Sequence, residues 1–127
     1  MGTNYYHHTD ECPTCGHGER THIGKSLIMF EGIFEWDETT GESKCVIGSW
    51  ADWKARLRGN GAILDEYGER YTFPEFVRMV EATDLDARRR QHDWFITNDP
   101  HRLSDVPAPD KEWLDADGFS FSGRWFC

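Results

Sequence analysis

The sequence lacks a surplus of positive charge. Its 14 lysines and arginines are outnumbered by 23 aspartates and glutamates, so the formal net charge is −9. Nucleic acids and anionic membrane surfaces both attract basic protein faces, and this balance therefore argues against either partner. It permits a basic protein partner, or mimicry of the charge of DNA, and a negative net charge also simply keeps a protein soluble.

Long apolar runs are absent as well. No stretch approaches the roughly 18 apolar residues that read as a transmembrane helix. The opening MGTNYYHH contains neither a positive region nor an apolar run, so we expect no export signal and a cytoplasmic protein. Aromatic residues are plentiful, with six Trp, eight Phe and four Tyr, which indicates a folded core rather than a disordered chain.

The chain has four cysteines, and their spacing is uneven. Cys12 and Cys15 are close together, whereas Cys45 and Cys127 are isolated. In a chain that is not exported, a Cys-x-x-Cys pair with nearby histidines indicates a metal site rather than a disulfide.

Four residues in the segment 8–22 match a zinc site. The set is His8-x3-Cys12-x2-Cys15-x6-His22, with the two thiolates in the middle. Four protein ligands close a tetrahedron and leave no position for water, so we predict a structural Zn²⁺. The place assigned to His8 is open to other candidates. These are His7, which would point to the opposite side of an extended strand, and His17, Cys45, Asp10 and Glu11.

Gly24-Lys25-Ser26 resembles the end of a phosphate-binding loop, but the spacing fails. That loop needs a glycine five residues before Gly24, with four residues in between, and Glu19 occupies the position. Lys25 and Ser26 remain candidates for binding an anion. An enzymatic alternative follows: a zinc-dependent hydrolase acting on an anionic substrate near Lys25, with Glu11 or Glu19 as the base.

The remaining pattern predicts an α+β fold in a single domain. We expect a strand over 3–8, then a hairpin whose long first strand covers 26–36 with a bulge at Gly32 and whose second strand covers 44–47. Ser49 should cap a helix that presents Trp50, Trp53 and Leu57 on one side. Two short strands should follow, around Tyr67-Gly68.

Capping signals and turns define the second half. Thr72 and Glu75 have the spacing of a capping box, and a further helix is expected over 86–95. Asp117-Gly118 predicts a hairpin turn that directs Phe119 and Phe121 inward. The whole is an antiparallel sheet anchored by a zinc knuckle, with two or three short helices. Its parts are the knuckle (5–25), a hairpin (26–48), helices and short strands (49–95) and a C-terminal hairpin (112–126).

Acidic residues cluster on the first hairpin, at Glu31, Glu35, Asp37, Glu38 and Glu42. On a continuous strand, Glu31 and Glu35 would share one face. A solvated hairpin produces this pattern, and so does a mimic of DNA.

Three segments carry a resemblance to a known group. The chain begins MGTNYY, continues with Cys12-x-x-Cys15-Gly16 and then has His22-Ile23-Gly24-Lys25-Ser26. In this it resembles a group of small uncharacterised proteins from bacteriophages and actinobacteria. The likeness extends to WADW at 50–53, DEYG at 65–68 and WLDADGFSFS at 113–122. After Ser26 the chain reads LIMF, where Ser, Gly and Trp are usual in the group.

The resemblance implies a viral origin rather than a mechanism. Together with the acidic charge and the closed ligand set, it leads us to expect a small zinc-stabilised module that binds and modulates a host protein. The alternatives are the zinc-dependent hydrolase, and a nucleic-acid-associated zinc ribbon or acidic DNA mimic.

Overall fold

The computed structural model describes residues 3–9, 18–27, 29–59, 61–83 and 85–123, with the backbone alone at 85–89, 91 and 92. Within these residues the protein is α+β, with nine strands and three α-helices. The strands are β1 (Asn4–Thr9), β2 (Glu19–Lys25), β3 (Met29–Glu31), β4 (Ile33–Asp37), β5 (Glu42–Ile47), β6 (Ala62–Asp65), β7 (Arg70–Tyr71), β8 (Glu112–Leu114) and β9 (Ser120–Ser122). The helices are α1 (Trp50–Leu57), α2 (Phe73–Glu81) and α3 (Leu85–Asn98), followed by a 3₁₀ turn at Pro100–Arg102.

Seven strands form one sheet in the order β7-β6-β1-β2-β3-β9-β8, and β4 pairs with β5 in a separate two-stranded sheet. The large sheet is mixed, because β3 and β9 run parallel while its other pairs are antiparallel. The expectation of a purely antiparallel sheet is therefore wrong at this pair. All three α-helices lie between these two strands in the sequence, and such distant pairing has no local sequence signal.

The single strand expected over 26–36 is also wrong. A turn with Ser26 and Leu27 at positive φ (59° each) separates β2 from β3, and the chain breaks again at Gly32 before β4. A Cβ atom on Gly32 would lie 2.5 Å from Cη2 of Trp113, so only glycine fits where the chain passes this indole. The break redirects β4 out of the large sheet and into the β4–β5 hairpin.

The helix starts are confirmed. Ser49 Oγ accepts a hydrogen bond from the Asp52 amide at 3.1 Å, and Thr72 and Glu75 form the reciprocal capping box. These bonds satisfy amides that have no partner within the helix. The third predicted helix exists and is longer than expected, covering Leu85–Asn98 rather than 86–95.

Helices α1 and α2 pack on one face of the large sheet, which we call the inner face. Its core is aromatic: Phe121 stacks on Phe30 at 5.5 Å and on Trp113 at 5.9 Å between ring centroids. Trp50 and Phe76 are 1% and 0% exposed and bring the two helices into this cluster. The predicted inward direction of Phe119 and Phe121, after a turn with Gly118 at φ 84°, is confirmed.

The opposite face of the large sheet, the outer face, is covered unevenly. Helix α3 packs against β8 and β9, where Phe95 is 4% exposed and Ser120 is 1% exposed. Residues of β1, β2 and β6 that point to the same face, such as Tyr6, Arg20 and Leu64, are half-buried or exposed. No helix in the described part of the chain is both long enough and apolar enough to cross a membrane.

Candidate functional site

A row of polar side chains crosses the outer face. Tyr6 on β1 pairs with His22 on β2, while Glu31 on β3 pairs with Ser122 on β9, and Ser122 pairs with Glu112 on β8. Glu31, Ser122 and Glu112 are only 9%, 2% and 4% exposed. Burying such groups costs free energy unless they have polar partners. We therefore expect the residues of this row to depend on one another for their partners.

His22 has a protein oxygen near each ring nitrogen, at hydrogen-bond distance from Nε2 and at ion-pair distance from Nδ1. Its Nε2 lies 3.0 Å from Asn4 Oδ1 and donates to it, because an amide oxygen only accepts. Its Nδ1 lies 3.5 Å from Glu31 Oε1. The Tyr6 ring packs on the imidazole at 5.4 Å. The arrangement fixes His22 against the strands on either side.

At the β8 end of the row, Glu112 connects the sheet to the 3₁₀ turn that follows α3. Arg102 Nη2 lies 3.8 Å from Glu112 Oε1, and its Nε lies 3.9 Å from Asp99 Oδ2. The same guanidinium sits 4.7 Å from the centroid of Phe95. Arg102 therefore joins a buried carboxylate on β8 to an aromatic ring on α3. The sequence signals neither Arg102 nor Glu112 as a partner, because their pairing depends on the sheet order.

The row contains a serine, a carboxylate and a histidine, but in the wrong order for nucleophilic catalysis. Glu31 lies between Ser122 and His22, whereas an activated serine needs the imidazole beside its hydroxyl. Ser122 is also 2% exposed. The geometry matches a structural polar network and not a hydrolytic triad.

The structure describes only some of the predicted zinc ligands. Cys12, Cys15 and the alternative ligands His17, Asp10 and Glu11 lie outside the described residues. His8 points to the outer face at the end of β1 and pairs with Arg20. His7 points to the inner face, as predicted, and is 4% exposed.

Among the described residues, no three His, Cys, Asp or Glu side chains converge on a point that could hold a metal. Cys45, the last alternative ligand, is exposed and lies on β5 in the separate sheet. Burial raises the pKa of its thiol, and the Asp52 carboxylate raises it further. This environment disfavours the thiolate that a metal requires.

The Lys25–Ser26 turn has a structural use. Lys25 ends β2 and pairs with both Asn4 and Met29. The Ser26 amide donates to Thr3 O at 2.8 Å, so this N–H is engaged within the protein. An anion at this turn would have to be held by side chains.

The acidic residues expected to form one row are separated by the break at Gly32. Glu31 is buried on β3 beside His22, so the prediction that it shares a strand face with Glu35 is wrong. Glu35 and Asp37 lie on β4, where they pair with Lys44 and Glu42 of β5.

The β4–β5 hairpin has two different sides. Side chains alternate along a strand, so Phe34 and Trp36 share one side, with Cys45 and Ser43 directly opposite them. We call this the aromatic side. The acidic side carries Glu35, Asp37 and Glu42, together with Lys44.

Trp36 is 66% exposed, although tryptophan is usually highly buried. Its exposure was not predicted from the sequence. The available signal was the alternation Phe34-Glu35-Trp36-Asp37, which places two aromatic residues on one side of a strand and two acids on the other.

Asp65, at the end of β6, closes the turn to β7. Its Oδ1 accepts hydrogen bonds from the amides of Tyr67 and Glu69, and its Oδ2 accepts one from the Tyr71 hydroxyl at 2.9 Å. Desolvation opposes ionisation, but these bonds outweigh it and lower the pKa of Asp65. Desolvation and the bond to Asp65 raise the pKa of Tyr71 to about 12.

Comparison with models of known protein families, with curated proteins and with solved structures finds no match for this chain. The function must therefore be inferred from the surfaces described above.

Proposed function

We propose that this protein is a small protein-binding module that docks through the β4–β5 hairpin. Following the resemblance to bacteriophage proteins, we further propose that it is phage-encoded and modulates a host protein in the host cytoplasm. The observation that carries the proposal is the exposure of Trp36 on an aromatic strand side. The hairpin pairs only with itself among the described strands, so it is free of the large sheet.

The aromatic side gives the hairpin an apolar contact surface. Phe34, at its base, packs edge-on against Trp113 at 5.9 Å and so joins the hairpin to the core. Trp36 lies two residues further along the same side of the strand, and its side chain is exposed to solvent. Tryptophan is the residue type most enriched among those that dominate binding energy in protein interfaces, especially when a partner buries it in a pocket.

The acidic side defines the charge of the partner. Glu35 faces Lys44 across the two strands, but Asp37 faces Glu42, which leaves two like charges side by side. Like charges in direct opposition destabilise a hairpin. A basic group on a partner would relieve this repulsion, and the net charge of −9 would attract such a partner over a longer range. The complementary surface is thus an apolar cleft with a basic rim.

Zinc is the second part of the proposal. Thr9 pairs with Glu19, so the segment that carries Cys12 and Cys15 begins and ends at neighbouring strand positions. His8 lies at this end of the β1–β2 pair. His22 lies three pairs inward from Thr9, and its nitrogens face Asn4 and Glu31. We retain Cys12, Cys15 and His8 as ligands, with the fourth place open to His17, Asp10 or Glu11, and expect His22 to bind zinc only if its ring leaves these partners.

Metal analysis of two histidine variants tests this part. Wild type purified without chelators should contain about one zinc ion per chain. His8→Gln should lose most of it, whereas His22→Gln should retain it, because the His22 ring is hydrogen-bonded to Asn4 and faces Glu31 rather than the cysteine segment. Absence of zinc from wild type would refute a structural zinc. Loss in His22→Gln with retention in His8→Gln would show that His22, and not His8, is the ligand.

Affinity capture with matched tryptophan variants tests the docking surface. Trp36→Ser removes the exposed indole on the hairpin, and Trp94→Ser removes one of similar exposure (55%) on α3. A single actinobacterial host protein should be recovered by wild type and by Trp94→Ser, but not by Trp36→Ser. Recovery of the same proteins by all three would overturn the assignment of the hairpin as the docking surface.

A further inference from the structure

The β4–β5 hairpin has an open strand edge. β5 pairs with β4 on one side, and no other strand in the described part of the chain pairs with it. Residues 42–45 of β5 are all exposed, and so are Glu35 and Trp36 on β4. A two-stranded ribbon exposed on both faces is marginally stable in water. Its edge also carries backbone N–H and C=O groups that a further strand would satisfy.

The charges on β5 select one way of pairing this edge with a copy of itself. Residues directly opposite each other in an antiparallel pair point to the same face, so a two-fold axis must pass at a residue. With the axis at Ser43, Lys44 of each copy lies opposite Glu42 of the other. An axis at Glu42 or at Lys44 would place that charged residue opposite itself. An axis at Cys45 would require the edge at Ile47, which is 2% exposed.

The same register relieves the repulsion within each hairpin. Asp37 faces Glu42 across β4 and β5. In the pair of hairpins, Lys44 of the second copy would lie on the other side of Glu42. The row on the acidic side would then run from Asp37 to Glu42 and on to Lys44 and Glu35 of the second copy. Opposite charges meet at the seam, and such cross-strand pairs stabilise a sheet.

We propose that two copies of this chain pair through their β5 edges, antiparallel and with the two-fold axis at Ser43, to form one four-stranded sheet. Two-fold contacts of this kind are the commonest form of assembly. Charged residues on an edge normally prevent edge-to-edge contact, but the alternation of sign at Glu42 and Lys44 blocks the neighbouring registers and permits this one.

The dimer is weak by this account. The seam holds only a few residues of each chain, whereas a standard interface holds about 20–30 residues a side. The net charge of −9 on each copy also opposes association. At about 0.15 M salt, however, charges more than about 8 Å apart are largely screened, so the opposite charges in contact at the seam dominate. We expect a dissociation constant of about 10–100 μM.

This inference does not rest on the proposed function. The pairing uses the backbone edge of β5, and Trp36 lies on β4, on the aromatic side. Both copies present Trp36 on the same face of the four-stranded sheet, where a host protein still has access to it. Trp36→Ser should therefore leave the dimer intact, and loss of host binding in that variant is a separate result.

Sedimentation velocity of the full chain from about 5 to 500 μM tests the pairing. Wild type should shift from monomer to dimer across this range. Glu42→Lys and Lys44→Glu each place like charges opposite each other, so each variant alone should associate at least about tenfold more weakly. Their equimolar mixture should dimerise again, because every lysine at the seam then meets a glutamate. Glu69→Lys makes the same charge change at an exposed position beside β7 and should dimerise like wild type.

A disulfide locates the axis. Opposed Cα atoms in an antiparallel pair lie about 4.5–5.5 Å apart, which is within the reach of a disulfide, so Ser43→Cys should form a covalent dimer on mild oxidation. The two Cys45 residues would be about 14 Å apart and should not join. Peptide mass analysis identifies the linked position.

Four results would overturn the proposal. Wild type could remain monomeric up to 500 μM, in which case the edge does not serve a second copy. Either charge-reversed variant could dimerise as tightly as wild type, which would place the contact elsewhere. The mixture of the two variants could stay monomeric, although opposite charges are restored. The disulfide in oxidised Ser43→Cys could join Cys45 instead of position 43, which would contradict the register.

Discussion

Replacing Gly32 with alanine should destabilise the protein through one steric conflict. The added Cβ would lie 2.5 Å from Cη2 and 2.8 Å from Cζ2 of Trp113, well inside van der Waals contact. The indole cannot move aside easily. It is 1% exposed, its Nε1 donates to Gly48 O at 2.9 Å, and it stacks on Phe121. Relief therefore requires a backbone shift at the point where the chain leaves the large sheet.

Overpacking of this kind costs about 1–3 kcal/mol. With a urea m-value of about 1–3 kcal/mol/M, the urea concentration at the midpoint of unfolding should fall by about 1 M. Urea titration followed by tryptophan fluorescence measures this directly. Gly59→Ala is the matched control, because its Cβ would meet only Arg56 O at an ordinary 3.5 Å. A Gly32→Ala midpoint equal to that of wild type and Gly59→Ala would refute the packing account of the strand break.

Three further outcomes follow from the hydrogen bonds of β6, β7 and α2. Thr72→Ala removes the Oγ1 acceptor for the Glu75 amide and should lower the free energy of unfolding by about 1 kcal/mol in the same urea titration. The pKa of Asp65 is lowered in the folded state, so its stabilisation is present above its unfolded pKa of about 3.9 and is lost as pH falls through the folded value. The stability gap between wild type and Asp65→Asn should thus shrink on acidification, and a gap that widens would contradict the assignment. Tyr71, with its pKa raised to about 12, should ionise last in an ultraviolet titration, and Tyr71→Phe should remove that late step; if the step persists in Tyr71→Phe, another tyrosine is responsible.

The local parts of the fold could be predicted from the sequence. Ser49 and Thr72 cap helices because their hydroxyls accept bonds from amides only three residues ahead. The hairpin around Gly118 follows from one turn residue and two alternating phenylalanines. Each of these features depends on neighbours a few residues away, and the sequence shows those neighbours directly.

The long-range parts could not be predicted. The parallel pairing of β3 with β9 joins Glu31 to Ser122, and nothing near either residue indicates the other. Gly32 looked like a bulge in one strand because the residue that requires glycine, Trp113, is distant in the sequence. The same limit applies to His22, whose partners Asn4 and Glu31 become visible only with the sheet order.

The central claim is that the aromatic side of the β4–β5 hairpin binds a partner protein through Trp36. Calorimetric titration of the captured host protein with purified wild type, Trp36→Ser and Trp94→Ser measures it most directly. We predict that Trp36→Ser weakens the affinity by about 30-fold, equivalent to about 2 kcal/mol, while Trp94→Ser stays within about threefold of wild type. Equal affinities for wild type and Trp36→Ser, with both variants folded, would contradict the account.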